Sequence, residues 1–298
     1  MKISVFCILV LFLATCTTPQ YNGQSNQKQD FDWQGHRGAR GLLPENTIPA
    51  FIKALDLGVV TLELDLAVTK DSQLIISHEP WLNHDICQNA DNTPITKDEA
   101  EKRLIWHMTA DEVKKYDCGS RGNPRFPTQQ RMRVFKPTLN EMVEEVKSYC
   151  RQKNRPLPYF NIEIKSQPDW DEKRTPSVKA FAQLVLASLK RLKISDKACI
   201  QSFDPRALEA VHKLDSKITT ALLIENLGTI ESNLAKISFK PSIYSPHFKL
   251  VNRNIVDYCH AKNIRVIPWT VNDVADMKEL LKIGVDGMIT DYPDRIPK

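Results

Sequence analysis

The chain has 298 residues, of which 42% are hydrophobic, and its 41 basic and 36 acidic residues give a formal net charge of +5. These charges are spread along the chain without a long basic run, which argues against a nucleic-acid partner. The length suits one large domain, and closed α/β barrels commonly have this size.

The amino terminus has the pattern of an export signal over residues 1–15. Lys2 supplies a positive start, and the apolar run after it is too short to span a bilayer. The run ends in residues 13–16, which resemble a bacterial lipobox with threonine in place of the usual glycine, alanine or serine. Cys16 is the expected lipidation site, and the polar residues 16–30 are the expected flexible tether. We therefore expect a lipoprotein that is exported from a bacterial cytoplasm and anchored in a membrane, periplasmic or at the cell surface.

Strand-like and helix-like segments alternate through the expected folded domain, residues 31–298. Nine strands are predicted, at 33–36, 60–68, 74–78, 159–164, 198–202, 218–224, 242–246, 264–269 and 286–290. Seven helices are predicted, at 47–57, 138–153, 176–192, 205–213, 229–236, 252–262 and 273–282. The link between the second and third strands is too short for a parallel crossover, so the third strand must return antiparallel to the second. The other eight strands predict an α/β protein with the fold of a (β/α)8 TIM barrel.

An irregular segment at about 80–137 interrupts this alternation after the second barrel strand. It is rich in proline and glycine and has short helical patterns near 97–104 and 109–115. We expect an insertion that caps the barrel mouth, with a surface loop cluster of no functional role as the alternative. An oxidising compartment would permit a disulfide between Cys87 and Cys118 within it.

Two acidic residues, Glu63 and Asp65, interrupt the apolar second strand at alternate positions, so both side chains face the same side. Like charges that point into a core are costly unless they are neutralised, and a divalent cation is the simplest candidate. Glu163, on the next barrel strand, would add a third carboxylate. This oxygen-only set favours Mg²⁺ or Ca²⁺ over zinc. The alternative is a strand whose acidic residues face solvent.

In a parallel barrel the C-terminal ends of the strands gather at one mouth, where catalytic groups lie. The first strand ends at His36 and Arg37, and the return arm of the second strand ends at His78. Lys165 and Trp269 lie at the ends of later strands. We expect these side chains to meet the three carboxylates.

Six ordered blocks of sequence carry a resemblance that spans roughly residues 33 to 297. They are His36-Arg37-Gly38 with Pro44-Glu45-Asn46-Thr47 and Ala50-Phe51; Glu63 through Asp65 and Thr69-Lys70-Asp71 to His78; Asn161-Ile162-Glu163-Ile164-Lys165; Gln201-Ser202-Phe203; Pro268-Trp269-Thr270-Val271-Asn272; and Gly287-Met288-Ile289-Thr290-Asp291-Tyr292-Pro293. In this order they resemble the glycerophosphodiester phosphodiesterase family in its bacterial, exported lipoprotein type. The resemblance implies hydrolysis of glycerophosphodiesters to sn-glycerol 3-phosphate and an alcohol such as choline or ethanolamine.

The resemblance also implies roles for individual residues. Glu63, Asp65 and Glu163 match the positions that bind the metal. His36 and His78 match the general acid and base, with the order between them left open.

The remaining site residues are expected to hold the substrate. Arg37 and Lys165 would neutralise the phosphate, while Trp269 and Phe203 would pack on the glycerol carbons. The substrate glycerol hydroxyl could attack to form a cyclic phosphate that water then opens, or water could attack directly. As alternatives, Arg37 would only pair with Glu45, and Trp269 would be ordinary core.

Two other functions stay open on the same residues. A lysophospholipase D or a phospholipase C-like lyase would use a long apolar groove, for which the insertion offers Trp81, Leu82, Ile86, Leu104, Ile105 and Trp106. A non-catalytic glycerophosphate-binding lipoprotein would be expected to lose a catalytic or metal residue, and this sequence retains the full set. The sequence carries no signal for an oligomeric state.

Overall fold

The computed structural model describes residues 31–297. The expected signal peptide, the lipidation site Cys16 and the tether all lie outside the described residues. None of the helices within 31–297 is both long and apolar enough to cross a membrane.

Within this range, eight parallel strands form a nearly closed barrel, so the predicted (β/α)8 fold is confirmed. The strands that form its wall are β1 (Asp32–Gly35), β2 (Thr61–Val68), β4 (Tyr159–Ile164), β5 (Ala198–Ser202), β6 (Thr219–Ile224), β7 (Ile243–Pro246), β8 (Arg265–Val266) and β9 (Gly287–Thr290). The ladders run in the order β8-β7-β6-β5-β4-β2-β1-β9. Backbone hydrogen bonds from Asp286 N to Val266 O, 2.9 Å, and from Ile289 N to Pro268 O, 3.0 Å, bring β9 against the β8 side. These bonds close the circle.

The helices cover the outside of the barrel at nearly the predicted positions. They are α1 (Ile48–Asp56), α4 (Leu139–Gln152), α5 (Val178–Leu192), α6 (Pro205–Leu214), α7 (Ile230–Leu234), α8 (Arg253–Ala261) and α9 (Val274–Ile283), with α2 (Lys97–Ala100) and α3 (Ala110–Val113) in the insertion. Thr138 begins α4 with a capping box, in which Glu141 bonds back to the cap, and Gly284 ends α9 at φ +90°.

The predicted hairpin is also confirmed, since β3 (Leu74–Ile76) runs antiparallel to β2. Leu66 pairs with Ile76, and the backbone N–H of Ser77 donates to the carbonyl of Asp65 at 3.0 Å. This register returns the chain to the second strand directly beside Asp65. His78 therefore reaches the barrel mouth although it follows a strand that is not part of the barrel wall.

The insertion builds a small hydrophobic core of its own. Its buried residues include Leu82, Ile86 and Ile105, which pack with Ala67 and Ile75 of the hairpin. The structure joins Cys87 and Cys118 in a disulfide within this core. The apolar side chains predicted as a possible lipid groove are thus used largely for internal packing.

Candidate active site

Three carboxylates meet at the C-terminal half of the barrel. Oxygen atoms of Glu63, Asp65 and Glu163 lie within 4.8 Å of one another, and all three side chains are buried. The parallel register places Asp65 directly opposite Glu163 on the neighbouring strand. The alternative, in which the two acidic residues of β2 face solvent, is therefore wrong, because every residue of β2 is buried.

Burial and mutual repulsion make this cluster costly without a counter-ion. Burial, with the charge of Asp65, raises the pKa of Glu63 well above its usual range. Burial also raises the pKa of Glu163 to about 7, although the nearby Lys165 opposes the shift. A hard divalent cation prefers oxygen ligands and would relieve the repulsion. The donor chemistry of the three residues therefore fits such a cation.

Arg37 is tied to this cluster by both its backbone and its side chain. Its backbone N–H donates to Glu63 Oε2 at 2.8 Å, and its Nε lies 3.2 Å from Asp65 Oδ2. Its Nη1 donates to Glu45 Oε1 at 2.7 Å. Arg37 therefore pairs with Glu45, as one prediction has it, and also lies at the barrel mouth, as the other has it. Its guanidinium bridges Glu45 and Asp65, and it lines the first cavity described below.

Lys165 lies between a carboxylate and a histidine. Its Nζ is 3.0 Å from Glu163 Oε1 and 3.1 Å from His78 Nε2. An ammonium group can only donate, so His78 Nε2 is the accepting nitrogen in this contact.

Each histidine is held through Nδ1 by a carboxylate. His36 Nδ1 lies 2.7 Å from Asp291 Oδ1, and His78 Nδ1 lies 2.8 Å from Glu79 Oε1. A carboxylate only accepts, so Nδ1 carries the hydrogen in both rings and Nε2 is left for other partners. His36 Nε2 lies 4.0 Å from Glu63 Oε2, which aims it at the carboxylate cluster.

Both histidines sit in surroundings that disfavour their charged form. Burial, with the charge of Arg40, lowers the pKa of His36 to about 4. Burial, with the charge of Arg37, lowers the pKa of His78.

The sequence analysis missed the partners of the histidines. Asp291 follows β9 and also accepts hydrogen bonds from Arg40 Nε and Asn272 Nδ2, each at 2.8 Å. Glu79 follows His78 directly. A carboxylate adjacent to a motif histidine was a usable signal for Glu79. The pairing of His36 with Asp291 spans 255 residues, so no local pattern could have indicated it.

Gln201 is a further residue whose role the sequence did not show. Its Nε2 donates to Glu63 Oε1 at 2.7 Å, while its Oε1 accepts from Asn161 Nδ2 at 2.9 Å. The amide therefore fixes one oxygen of Glu63.

Two cavities open at this site and share His78, Glu163, Phe203 and Trp269. The first cavity, of about 220 Å³, also contacts His36, Arg37 and Glu63. The second cavity, of about 340 Å³, also contacts Lys165, Trp170 and Glu225. Eight of the nine residues that were predicted to act in the site therefore line one or both cavities, and the ninth, Asp65, belongs to the carboxylate cluster.

The two predicted aromatic residues pack against each other at the shared wall. The rings of Phe203 and Trp269 meet edge to face at 5.3 Å, and Trp269 Nε1 donates to the carbonyl of Ser245 at 2.9 Å. Trp269 is half-buried and precedes a cis peptide bond to Thr270. It faces the cavities and is not ordinary core.

A parallel barrel whose mouth gathers carboxylates, cations and paired histidines defines a hydrolase of the TIM-barrel class. The model of the glycerophosphoryl diester phosphodiesterase family matches residues 36–295, and the chain belongs to this family of enzymes. A glycerophosphodiester phosphodiesterase of Bacillus subtilis is 30% identical over 278 residues, covering 88% of this chain and 84% of that protein.

Solved structures agree with this membership. A putative glycerophosphoryl diester phosphodiesterase from Silicibacter pomeroyi superposes with a TM-score of 0.78 at 28% identity, over 89% of this chain and 91% of that one. An Oleispira antarctica phosphodiesterase, solved in complex with the product sn-glycerol-3-phosphate, has a TM-score of 0.70 at 21% identity, over 89% and 94% of the two chains. The latter likeness supports the fold.

Proposed function

We propose that this protein hydrolyses glycerophosphodiesters to sn-glycerol 3-phosphate and an alcohol, with a divalent cation held by Glu63, Asp65 and Glu163. The observation that carries the proposal is the meeting of that carboxylate cluster with two histidines, each oriented through Nδ1 by an acidic partner. The product complex of the Oleispira antarctica relative supports the same product here.

The cation is proposed to be Ca²⁺ or Mg²⁺, since oxygen ligands alone are present in the cluster. When bound, such an ion neutralises charge on the phosphate and makes the phosphorus easier to attack. Arg37 and Lys165 supply the remaining positive charge beside the cluster.

The histidines are proposed to move the protons. His36 lines the first cavity but not the second, and it lies beside Glu63. It is placed to accept a proton from the attacking hydroxyl. His78 lines both cavities, and once its Nε2 takes up a proton from solvent it is placed to donate that proton to the leaving alcohol. The attacking group is either the glycerol hydroxyl, which gives a cyclic phosphate that water then opens, or water itself.

The insertion favours a small diester over a lipid. Half of the six apolar side chains predicted for a lipid groove are buried and unavailable to bind an acyl chain, namely Leu82, Ile86 and Ile105. The other half are partly buried, namely Trp81, Leu104 and Trp106. This burial argues against the lysophospholipase D alternative. The retained histidines and carboxylates argue against a purely binding lipoprotein.

We further propose that residues 1–15 are removed on export and that Cys16 anchors the mature enzyme to a membrane. The apolar run and the lipobox-like residues 13–16 support this. The disulfide supports an oxidising compartment. Intact mass of the mature protein, compared with a Cys16→Ser variant, tests it. Equal masses apart from the substitution would refute lipidation.

A panel assay tests the activity. The purified protein is stripped with a chelator, supplied with Mg²⁺ or Ca²⁺, and given glycerophosphodiesters or lysophosphatidylcholine. We expect sn-glycerol 3-phosphate from the diesters only after a cation is added. Full turnover in excess chelator, with no metal retained by the protein, would refute the proposed cation dependence.

A further inference from the structure

The second cavity shares four residues with the first and adds Trp170 and Glu225 to them. Its walls include three aromatic side chains, Trp170, Phe203 and Trp269, and a carboxylate, Glu225. His78, the proposed donor to the leaving alcohol, lines the same cavity. An alcohol that leaves past His78 would therefore lie against these aromatic side chains.

The aromatic rings are held in place by packing. Phe203 meets Trp269 edge to face at 5.3 Å, and Trp170 meets Trp81 at 6.1 Å with an interplanar angle of 74°. Trp81 in turn lies under the guanidinium of Arg174, at 5.0 Å. Ring faces attract cations, most strongly when the rings need no reorganisation on binding.

The cavity is lined by charges of both signs. Lys165 lies beside His78, with Nζ 3.1 Å from Nε2, and its charge is matched by Glu163 at 3.0 Å. Glu225 directly follows β6 and is exposed, and among residues 31–297 it forms no ion pair. A ligand with a phosphate near Lys165 and a positive group near Glu225 would complement both charges.

We propose that Glu225 and the aromatic wall of Trp170, Phe203 and Trp269 select leaving alcohols that carry a positively charged nitrogen, such as a quaternary ammonium group. This inference rests on the proposed function. A neutral polyol would gain no ionic contact with Glu225, and an acyl chain would bring apolar surface against a carboxylate. Both are therefore disfavoured occupants.

The test compares two substrates of equal shape. They are sn-glycero-3-phosphocholine and its isostere in which a quaternary carbon replaces the nitrogen, the 3,3-dimethylbutyl ester. We expect kcat/KM for the choline ester to exceed that for the isostere by roughly tenfold, because cation–π and carboxylate contacts recognise only the charge. In Glu225→Gln the ratio should fall toward one, and in Glu225→Lys it should fall below one.

Two further variants test the aromatic wall and control for the loss of a negative charge. Trp170→Leu should also lower the ratio, through loss of the ring face. Glu231→Gln is the charge-matched control: Glu231 lies on α7, the helix that follows β6, and does not line the second cavity. This variant should keep the wild-type ratio. Thermal unfolding of each variant checks that it is folded.

The outcomes separate this inference from the proposed function. Cleavage of both esters with a wild-type ratio near one, or a ratio unchanged in folded Glu225→Gln and Glu225→Lys, would overturn the charge selection and leave the activity standing. Cleavage of neither ester, nor of any other glycerophosphodiester, would overturn the proposed function and this inference with it.

Discussion

His36 and His78 reach the site from two different regions of the molecule and are held there differently. His36 directly follows β1 of the barrel wall, and its partner Asp291 directly follows β9. Asp291 is itself held by hydrogen bonds from Arg40 and Asn272. His78 follows the antiparallel return arm, and its partner is the adjacent residue Glu79. The side chain of His36 is 12% exposed and that of His78 is 30% exposed.

This difference separates the barrel side from the hairpin side of the site. On the barrel side, closure of β1 against β9 brings the histidine and its carboxylate together, so their geometry is as rigid as the fold. On the hairpin side, the geometry depends on a short strand and on the insertion that packs against it. The effects of substitutions on activity should therefore differ between the two sides.

The largest expected effect is at the carboxylates, which both sides share. Glu63→Gln, Asp65→Asn and Glu163→Gln should each lower turnover by roughly 10³-fold, since a bound cation contributes several kcal/mol. Isothermal titration with Mg²⁺ or Ca²⁺ should show weakened cation binding in each. Asp32→Asn, at the N-terminal end of β1, is the matched control and should still bind the cation. Undiminished cation affinity in all three variants would contradict the assignment.

The next effect concerns the histidines themselves. His36→Ala and His78→Ala should each lower turnover by about 10²- to 10⁴-fold. If His78 is the acid, His78→Ala should recover activity on a glycerophosphodiester with an acidic leaving group such as p-nitrophenol, and His36→Ala should not. Recovery of His36→Ala instead would reverse the two roles. Wild-type turnover by both variants on a natural diester would remove both from the mechanism.

A smaller effect is expected at the partners of the histidines, and it tests the comparison directly. Asp291→Asn should lower kcat by about 10- to 100-fold, as for other carboxylates that orient an imidazole. Glu79→Gln should lower it less, because His78 is more exposed and can find solvent or other partners. Steady-state kinetics with kcat and KM separated measures this. An equal or larger loss in Glu79→Gln would show that the hairpin side is as rigid as the barrel.

The smallest effect on turnover is expected from the disulfide of the insertion. Cys87→Ser with Cys118→Ser should lower the free energy of unfolding by about 2–4 kcal/mol, because the bridge closes a long loop. The barrel cation site should be unaffected, so cation affinity stays at the wild-type value. Denaturant unfolding and non-reduced peptide mass mapping measure both parts. Free thiols at both positions in protein prepared without reductant would contradict the bridge.

Much of the fold could be read from local sequence. Alternation of strand and helix patterns indicated the barrel, and the short link from Thr69 to Gln73 required the hairpin, because chain geometry alone limits such a connection. Capping residues such as Thr138 and Gly284 marked helix ends, since the backbone groups there need local partners. The alternate spacing of Glu63 and Asp65 indicated a shared face, because successive side chains of a strand point to opposite sides.

The arrangement of the site was decided by tertiary structure. The register of β2 against β4 places Glu163 beside Asp65, and the pairing of β1 with β9 places Asp291 beside His36. The second cavity likewise joins Trp170, from the segment between β4 and α5, to Glu225, from the end of β6. Such contacts depend on the packing of elements far apart in the chain, and propensity and periodicity describe only neighbours along it. The sequence therefore determined which groups the protein carries, and the tertiary structure determined which of them touch.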